Sequence, residues 1–117
     1  MNEKLLIRAQ QLMERQKYKE AAQVLSDLMQ MNPLDTEVLG MYSQVALRLG
    51  QKDKADDLVS QALSLAPDND YLYFIKSRVM LEKEQYDEAE KYLKEAIQID
   101  PQYSDYYASW ASIKLAR

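Results

Sequence analysis

The sequence predicts an all-α fold: a right-handed superhelical solenoid of three helix-turn-helix units followed by one extra C-terminal helix. Three observations predict it. The three prolines, Pro33, Pro67 and Pro101, stand 34 residues apart, and a fixed period of this length marks stacked units that bury their apolar faces only against one another. Counting from Asn2, Thr36 and Asp70, the same register also returns Ala21, Ala55 and Ala89, then Leu25, Val59 and Leu93. A third position in that register is always small, as Ala9, Ser43 and Ser77, beside the larger Leu5, Leu39 and Tyr73. Small residues let two helix backbones approach closely while large neighbours fill the space beside them. One domain spanning residues 1–117 is expected, divided into units 2–35, 36–69 and 70–103, with 104–117 as the first helix of a fourth unit or a capping helix.

In chain order, Asn2 to Arg15 forms the first helix, with Leu5, Ala9 and Leu12 on one stripe and Asn2 as its cap. Tyr18 marks the turn, and Lys19 to Asn32 forms the second helix, with Ala21, Val24, Leu25, Leu28 and Met29 facing inward before Pro33 ends it. The next unit starts at the capping residues Asp35 and Thr36 and runs through Leu39, Tyr42, Ser43 and Ala46 to Gly50, a residue suited to a helix C-terminus. Asp53 is expected to cap its partner helix, which turns Ala55, Leu58, Val59, Ala62 and Leu63 inward. Asp68, Asn69 and Asp70 offer oxygens to the free amides at the start of the third unit, and Asp87 is expected to cap that unit's second helix. Acid-before-base pairs, Asp87 with Lys91 and Glu90 with Lys94, support it. Ser104 caps a seventh helix carrying Tyr107, Trp110 and Ala111. A last helix so rich in aromatic side chains fits either a fragment of a longer array or an end covered by another molecule.

These residues resemble the tetratricopeptide repeat, whose 34-residue pattern runs from an aromatic through Leu-Gly and Tyr to Ala, an aromatic and a closing Pro. The resemblance covers the whole chain. It departs from the pattern at Arg8 and Lys76 in the seventh position, at Leu28 in the twenty-seventh, and in lacking Gly at the eighth.

Composition narrows the function. Hydrophobic residues make up 47% of the chain, enough for one continuous core, and the net charge is −4, opposite in sign to a phosphate-binding footprint. Nucleic acid is therefore not an expected partner. With no Cys and no His, nucleophile-base pairs of the Ser-His-Asp or Cys-His kind and nitrogen- or sulfur-ligated zinc sites cannot be built. Two glycines make no phosphate-cradling loop. Asp68, Asn69 and Asp70 match the start of a calcium loop, but Tyr73 occupies the sixth position, where the turn needs Gly, so capping is the better reading. Asp56 and Asp57 are adjacent on a helix, point in different directions, and read as a solvated face rather than an acid-base pair. No cofactor and no enzymatic activity are expected. The amino end, MNEKLLIRAQQ, mixes charge with apolar residues and does not read as a signal peptide. No apolar run approaches the roughly 20 residues of a bilayer span, so no membrane partner and a cytoplasmic location are expected.

The resemblance implies where a partner sits. In the family, the second, fifth, sixth and ninth positions of each unit's first helix line a concave groove for peptides or protein segments. Here they are Glu3, Leu6, Ile7 and Gln10, then Glu37, Gly40, Met41 and Gln44, then Tyr71, Phe74, Ile75 and Arg78. The expected reading is an exposed apolar stripe of Leu6, Ile7, Met41, Tyr71, Phe74 and Ile75, with Gln10, Gln44 and Arg78 orienting the partner's backbone. A segment with apolar side chains is the implied partner of this interaction scaffold. The alternative for this stripe is that Phe74 and Ile75 are partly tucked between neighbouring helices and need no partner. The family's two-carboxylate clamp for chaperone tails uses Lys, Asn, Asn, Lys and Arg where this chain has Leu6, Gln10, Met41, Tyr71 and Ile75, so such a tail is not expected to bind. Self-association, as a homo-oligomer through Tyr107 and Trp110 or through the groove, is the rival function.

Overall fold

The computed structural model describes residues 2–116, and these form seven α-helices with no strand among them. They are α1 (Asn2–Glu14), α2 (Tyr18–Met31), α3 (Thr36–Arg48), α4 (Lys52–Leu65), α5 (Asp70–Glu82), α6 (Tyr86–Ile99) and α7 (Ser104–Ala116). Consecutive helices pair as α1 with α2, α3 with α4 and α5 with α6, each pair stacks on the next, and α7 closes the array. The result is an all-α helical-repeat solenoid measuring 40 × 26 × 23 Å. No helix of the described residues is long and apolar enough to cross a membrane. The side chain of Asn2, expected as a cap, lies outside the described residues.

Within each pair the turn is set by the backbone. Gln16, Gly50 and Glu84, again 34 residues apart, all have positive φ, at 61°, 79° and 61°. The following amides fold back onto the helix just ended: Lys17 N–H donates to Leu12 O at 2.8 Å, Gln51 to Ala46 at 2.9 Å and Gln85 to Met80 at 2.9 Å. These bonds satisfy carbonyls that a helix end otherwise leaves open. They also fix where the second helix begins, so α2, α4 and α6 start without a side-chain cap. Two expectations are corrected here: Asp53 and Asp87 lie inside the first turns of α4 and α6, whose N-cap residues are Gln51 and Gln85. Tyr18, expected in the turn, is already the first residue of α2.

Left-handed backbone is strained for any residue with a Cβ. Gln16→Gly and Glu84→Gly are each expected to stabilise the chain by about 0.5–1 kcal/mol, and Gly50→Ala to destabilise it by a similar amount. Urea denaturation followed by circular dichroism measures all three, and an unchanged midpoint in both glycine variants would contradict the strain.

Between pairs, side-chain caps do operate. The Asp35 carboxylate accepts from the amides of Glu37 at 3.0 Å and Val38 at 3.3 Å, and the Asn69 side chain accepts from Leu72 at 3.2 Å. Such a cap contributes about 1 kcal/mol. Ser104, expected as the cap of the last helix, is instead its first residue.

The core follows the sequence register. Ala21, Leu25 and Leu28 in α2 are matched by Ala55, Val59 and Ala62 in α4 and by Ala89, Leu93 and Ala96 in α6, all buried. Opposite them, the buried hydroxyls of Ser43 and Ser77 each donate to a carbonyl of the partner helix, Ala55 O and Ala89 O, both at 2.7 Å. The small eighth position thus brings the helices close and satisfies its own polar atom. Two further bonds repeat between units: Tyr73 OH donates to Pro67 O and Tyr107 OH to Pro101 O, both at 2.8 Å.

Lys76, which departs from the family pattern, has its own compensation. Its ammonium donates to Asp56, donates to Ser60 Oγ at 2.9 Å, and lies 5.5 Å from the centre of the Tyr92 ring. Lys83 Nζ stands 3.2 Å from Asp56 Oδ2 and 3.2 Å from Asp53 Oδ1. Burial raises the Asp56 carboxyl, but hydrogen bonds and charge from Lys76 and Lys83 outweigh it, so its pKa falls below the ordinary 3.8. Asp56 is therefore half-buried in an ion-pair cluster, a correction to the solvated face expected from its position. Asp57 is exposed as expected.

Helix α7 packs on α5 and α6 through Tyr106 and Ile113, which are fully buried. The Tyr106 ring lies 5.1 Å from Phe74 and edge-on to Tyr103 at 4.7 Å, and its hydroxyl donates to Asp70 Oδ2 at 2.6 Å. Trp110 is half-buried and its indole N–H donates to Glu90 Oε2 at 3.1 Å.

Candidate functional site

A groove opens where the first helices of the three pairs face a common side. Its floor is apolar: Met13 from α1, Gly40 and Met41 from α3, and Leu72 and Ile75 from α5. Gln10, Glu14, Glu37, Gln44 and Tyr71 stand around it. Gln44 Nε2 donates to Tyr71 OH at 3.1 Å, linking α3 to α5 across the groove. Toward the C-terminal ends of these helices the groove continues into a pocket of about 250 Å³. That pocket shares Met13, Glu14, Gln44 and Ile75 and adds Tyr18, Leu47, Arg48 and Arg78.

The absence of a side chain at Gly40 sets the depth. A Cβ there would meet Leu72 Cδ2 at 3.0 Å and Ile75 Cδ1 at 3.5 Å, so side chains of α5 sit close against α3 where it carries none. The fifth position is thus a seam between successive first helices at Gly40 and, against Tyr106 of α7, at Phe74. This corrects the expected exposed stripe. Phe74, at that position in α5, is 8% exposed and packs on Tyr106 of α7, outside the groove lining. Ile75 is 1% exposed and serves as floor beneath Gly40.

The other residues of the stripe separate into two groups. Gln10, Met41, Gln44, Tyr71 and Arg78 line the groove or its pocket, with Met41 half-buried and Tyr71 43% exposed. Leu6 is half-buried against the core and Ile7 is 52% exposed, and neither lines the groove. Arg78 is half-buried with its guanidinium 5.7 Å from the Phe74 ring centre. Met13, Glu14, Leu47 and Arg48 were not foreseen. They occupy the twelfth and thirteenth positions, three and four residues beyond Gln10 and Gln44, and helical spacing puts them on the same face. Among the described residues no three carboxylates converge as a metal site would require.

Helix pairs stacked in one register, with a concave face built from the first helix of each, define a helical-repeat solenoid. The chain belongs to the tetratricopeptide repeat family, whose model matches residues 12–79 and 57–113. No curated protein matches the sequence. Among solved structures, the first TPR of Spaghetti (RPAP3) bound to the HSP90 peptide SRMEEVD superimposes with a TM-score of 0.87 at 17% identity, over 99% of this chain and 94% of that one. The Yersinia enterocolitica type III secretion chaperone SycD, in complex with a peptide of the translocator YopD, gives 0.82 at 19% identity over 97% and 87%. An O-GlcNAc transferase mutant of Thermobaculum terrenum gives 0.92 at 17% identity, covering 96% of this chain but 22% of that one.

Proposed function

We propose that the chain is a non-catalytic protein-interaction scaffold of units 2–35, 36–69 and 70–103 that binds a peptide or protein segment with apolar side chains in the concave groove. One observation carries the reading: a groove floor in which Met13 and Met41 are partly accessible, with Ile75 buried among them, lies between walls that carry Gln10, Glu14, Glu37 and Gln44. Contiguous accessible apolar surface with a polar rim is characteristic of contact sites. Met adapts to irregular partners, and Tyr71 offers rigid area with a polar tip. The structures bound to an HSP90 peptide and to a YopD peptide support a peptide-binding use of this fold. The chaperone-tail clamp is still not expected, because Leu6, Gln10, Met41, Tyr71 and the buried Ile75 supply none of its cations.

The test is capture of a partner from the source cell by this chain and by a Met41→Glu version, with bait folding checked by circular dichroism. Loss of capture with Met41→Glu supports the groove. Equal capture by both baits would move binding elsewhere.

Self-association is the second reading, favoured by Tyr107 at 45% and Leu115 at 88% exposure on the terminal helix. Trp110, offered for the same contact, is partly used against α6 through Glu90. Light scattering over a range of concentrations separates the two, since a constant monomer removes self-association.

A further inference from the structure

We propose that the pocket between Arg48 and Arg78 receives an acidic side chain, Asp or Glu, of the segment bound in the groove; the inference rests on the groove reading above. Arg48 from α3 and Arg78 from α5 line this pocket with a single carboxylate, Glu14. Among the described residues neither arginine is in an ion pair: the acids of every bridge are engaged by Lys76, Lys83 or Lys94. Arg78 has only the face of Phe74 beneath it. Beyond the pocket the groove is lined by one further carboxylate, Glu37, and by no Lys or Arg. Its charge is therefore graded along its length, basic at the pocket and acidic beyond it. A segment with a carboxylate at one end and a Lys or Arg toward the other matches that gradient in one direction only, which fixes its polarity.

The pocket's chemistry also selects the source of the carboxylate. Its floor is Met13, Leu47 and Ile75, so the entering group needs an apolar stem and a charged tip, as Glu and Asp provide. A chain terminus would bring its peptide N–H group onto that apolar floor along with the carboxylate. The planar guanidinium donors suit a carboxylate in two-point contact.

The test selects random dodecapeptides against the full chain in two displays, one with the peptide internal to its carrier and one with a free C-terminus. The internal display is expected to return binders with Asp or Glu beside an apolar residue. Arg48→Gln, Arg78→Gln, or Gln for that acid in the synthetic peptide should each weaken binding about 5- to 20-fold, and combining an arginine change with the peptide change should add little. Glu14→Gln should tighten the same peptide. Binders that are lost with Met41→Glu yet carry no acid, or ignore both arginine changes, overturn this inference and leave the groove reading standing. Binders found only with a free C-terminus, and lost on amidation, overturn the choice of a side-chain carboxylate. Binders from neither display, or binders indifferent to Met41→Glu, overturn both readings.

Discussion

Phe74→Ala is expected to destabilise the chain by about 3–5 kcal/mol, the range for removing a buried aromatic ring from a packed seam. Phe74 is 8% exposed and holds α5 against Tyr106 of α7. Ile75→Ala, at 1% exposure, should cost about 2–5 kcal/mol for the same reason. Tyr71→Ala, 43% exposed on the groove rim, should cost less than about 1 kcal/mol. Urea midpoints of the three variants decide the matter. A Phe74 variant as mild as the Tyr71 variant would place Phe74 on the binding surface after all. The contrast is large because a domain of this size has only about 5–15 kcal/mol in total.

Tyr106 carries the second large effect. Tyr106→Ala removes a fully buried ring and is expected to cost about 3–5 kcal/mol, releasing α7. Tyr106→Phe keeps the ring but leaves Asp70 without its 2.6 Å donor, costing about 1–3 kcal/mol. The pH dependence separates the hydroxyl from the ring. Burial, then the hydrogen bond to Asp70 and its charge, push the Tyr106 hydroxyl far above its ordinary value of 10.0. A folded-state pKa raised in this way gives stability that is complete below about pH 10 and lost as pH rises above it, at up to about 1.4 kcal/mol per unit. In Tyr106→Phe that alkaline loss should shrink. An identical alkaline limb in both proteins would show that Tyr106 is not the group being titrated.

Much of the architecture was readable because the 34-residue register is carried by side chains that the core needs. Ala21, Ala55 and Ala89 are buried against their partner helices in all three units, and the extended backbone at Asp35 and Asn69 shows its capping oxygens directly in the sequence. The turn within each pair was less legible. Only Gly50 announces the left-handed residue, while Gln16 and Glu84 adopt it under strain, so Asp53 and Asp87 resemble caps although they lie two residues beyond the N-caps Gln51 and Gln85. Tyr106 was overlooked because the register drew attention to Tyr107. Yet Val38 and Leu72 precede it at the same third position, both buried. In the groove, the sequence showed which residues share a face but not that Gly40 draws α5 inward and covers Ile75. That closeness is a property of two helices together, and no single helix pattern contains it.

The bonds from Tyr73 to Pro67 and from Tyr107 to Pro101 also make the two sides of the groove unlike. They pin α5 and α7 to the turns that precede them. At the corresponding place on α3 stands Leu39, which has no hydroxyl to offer Pro33. Among the described residues no side-chain hydrogen bond crosses from α1 or α2 to α3, so apolar contact alone sets the distance between those walls. The hydroxyl tie that fastens α5 and α7 to a proline carbonyl is thus missing at α3, where one leucine stands in place of its successors' tyrosine.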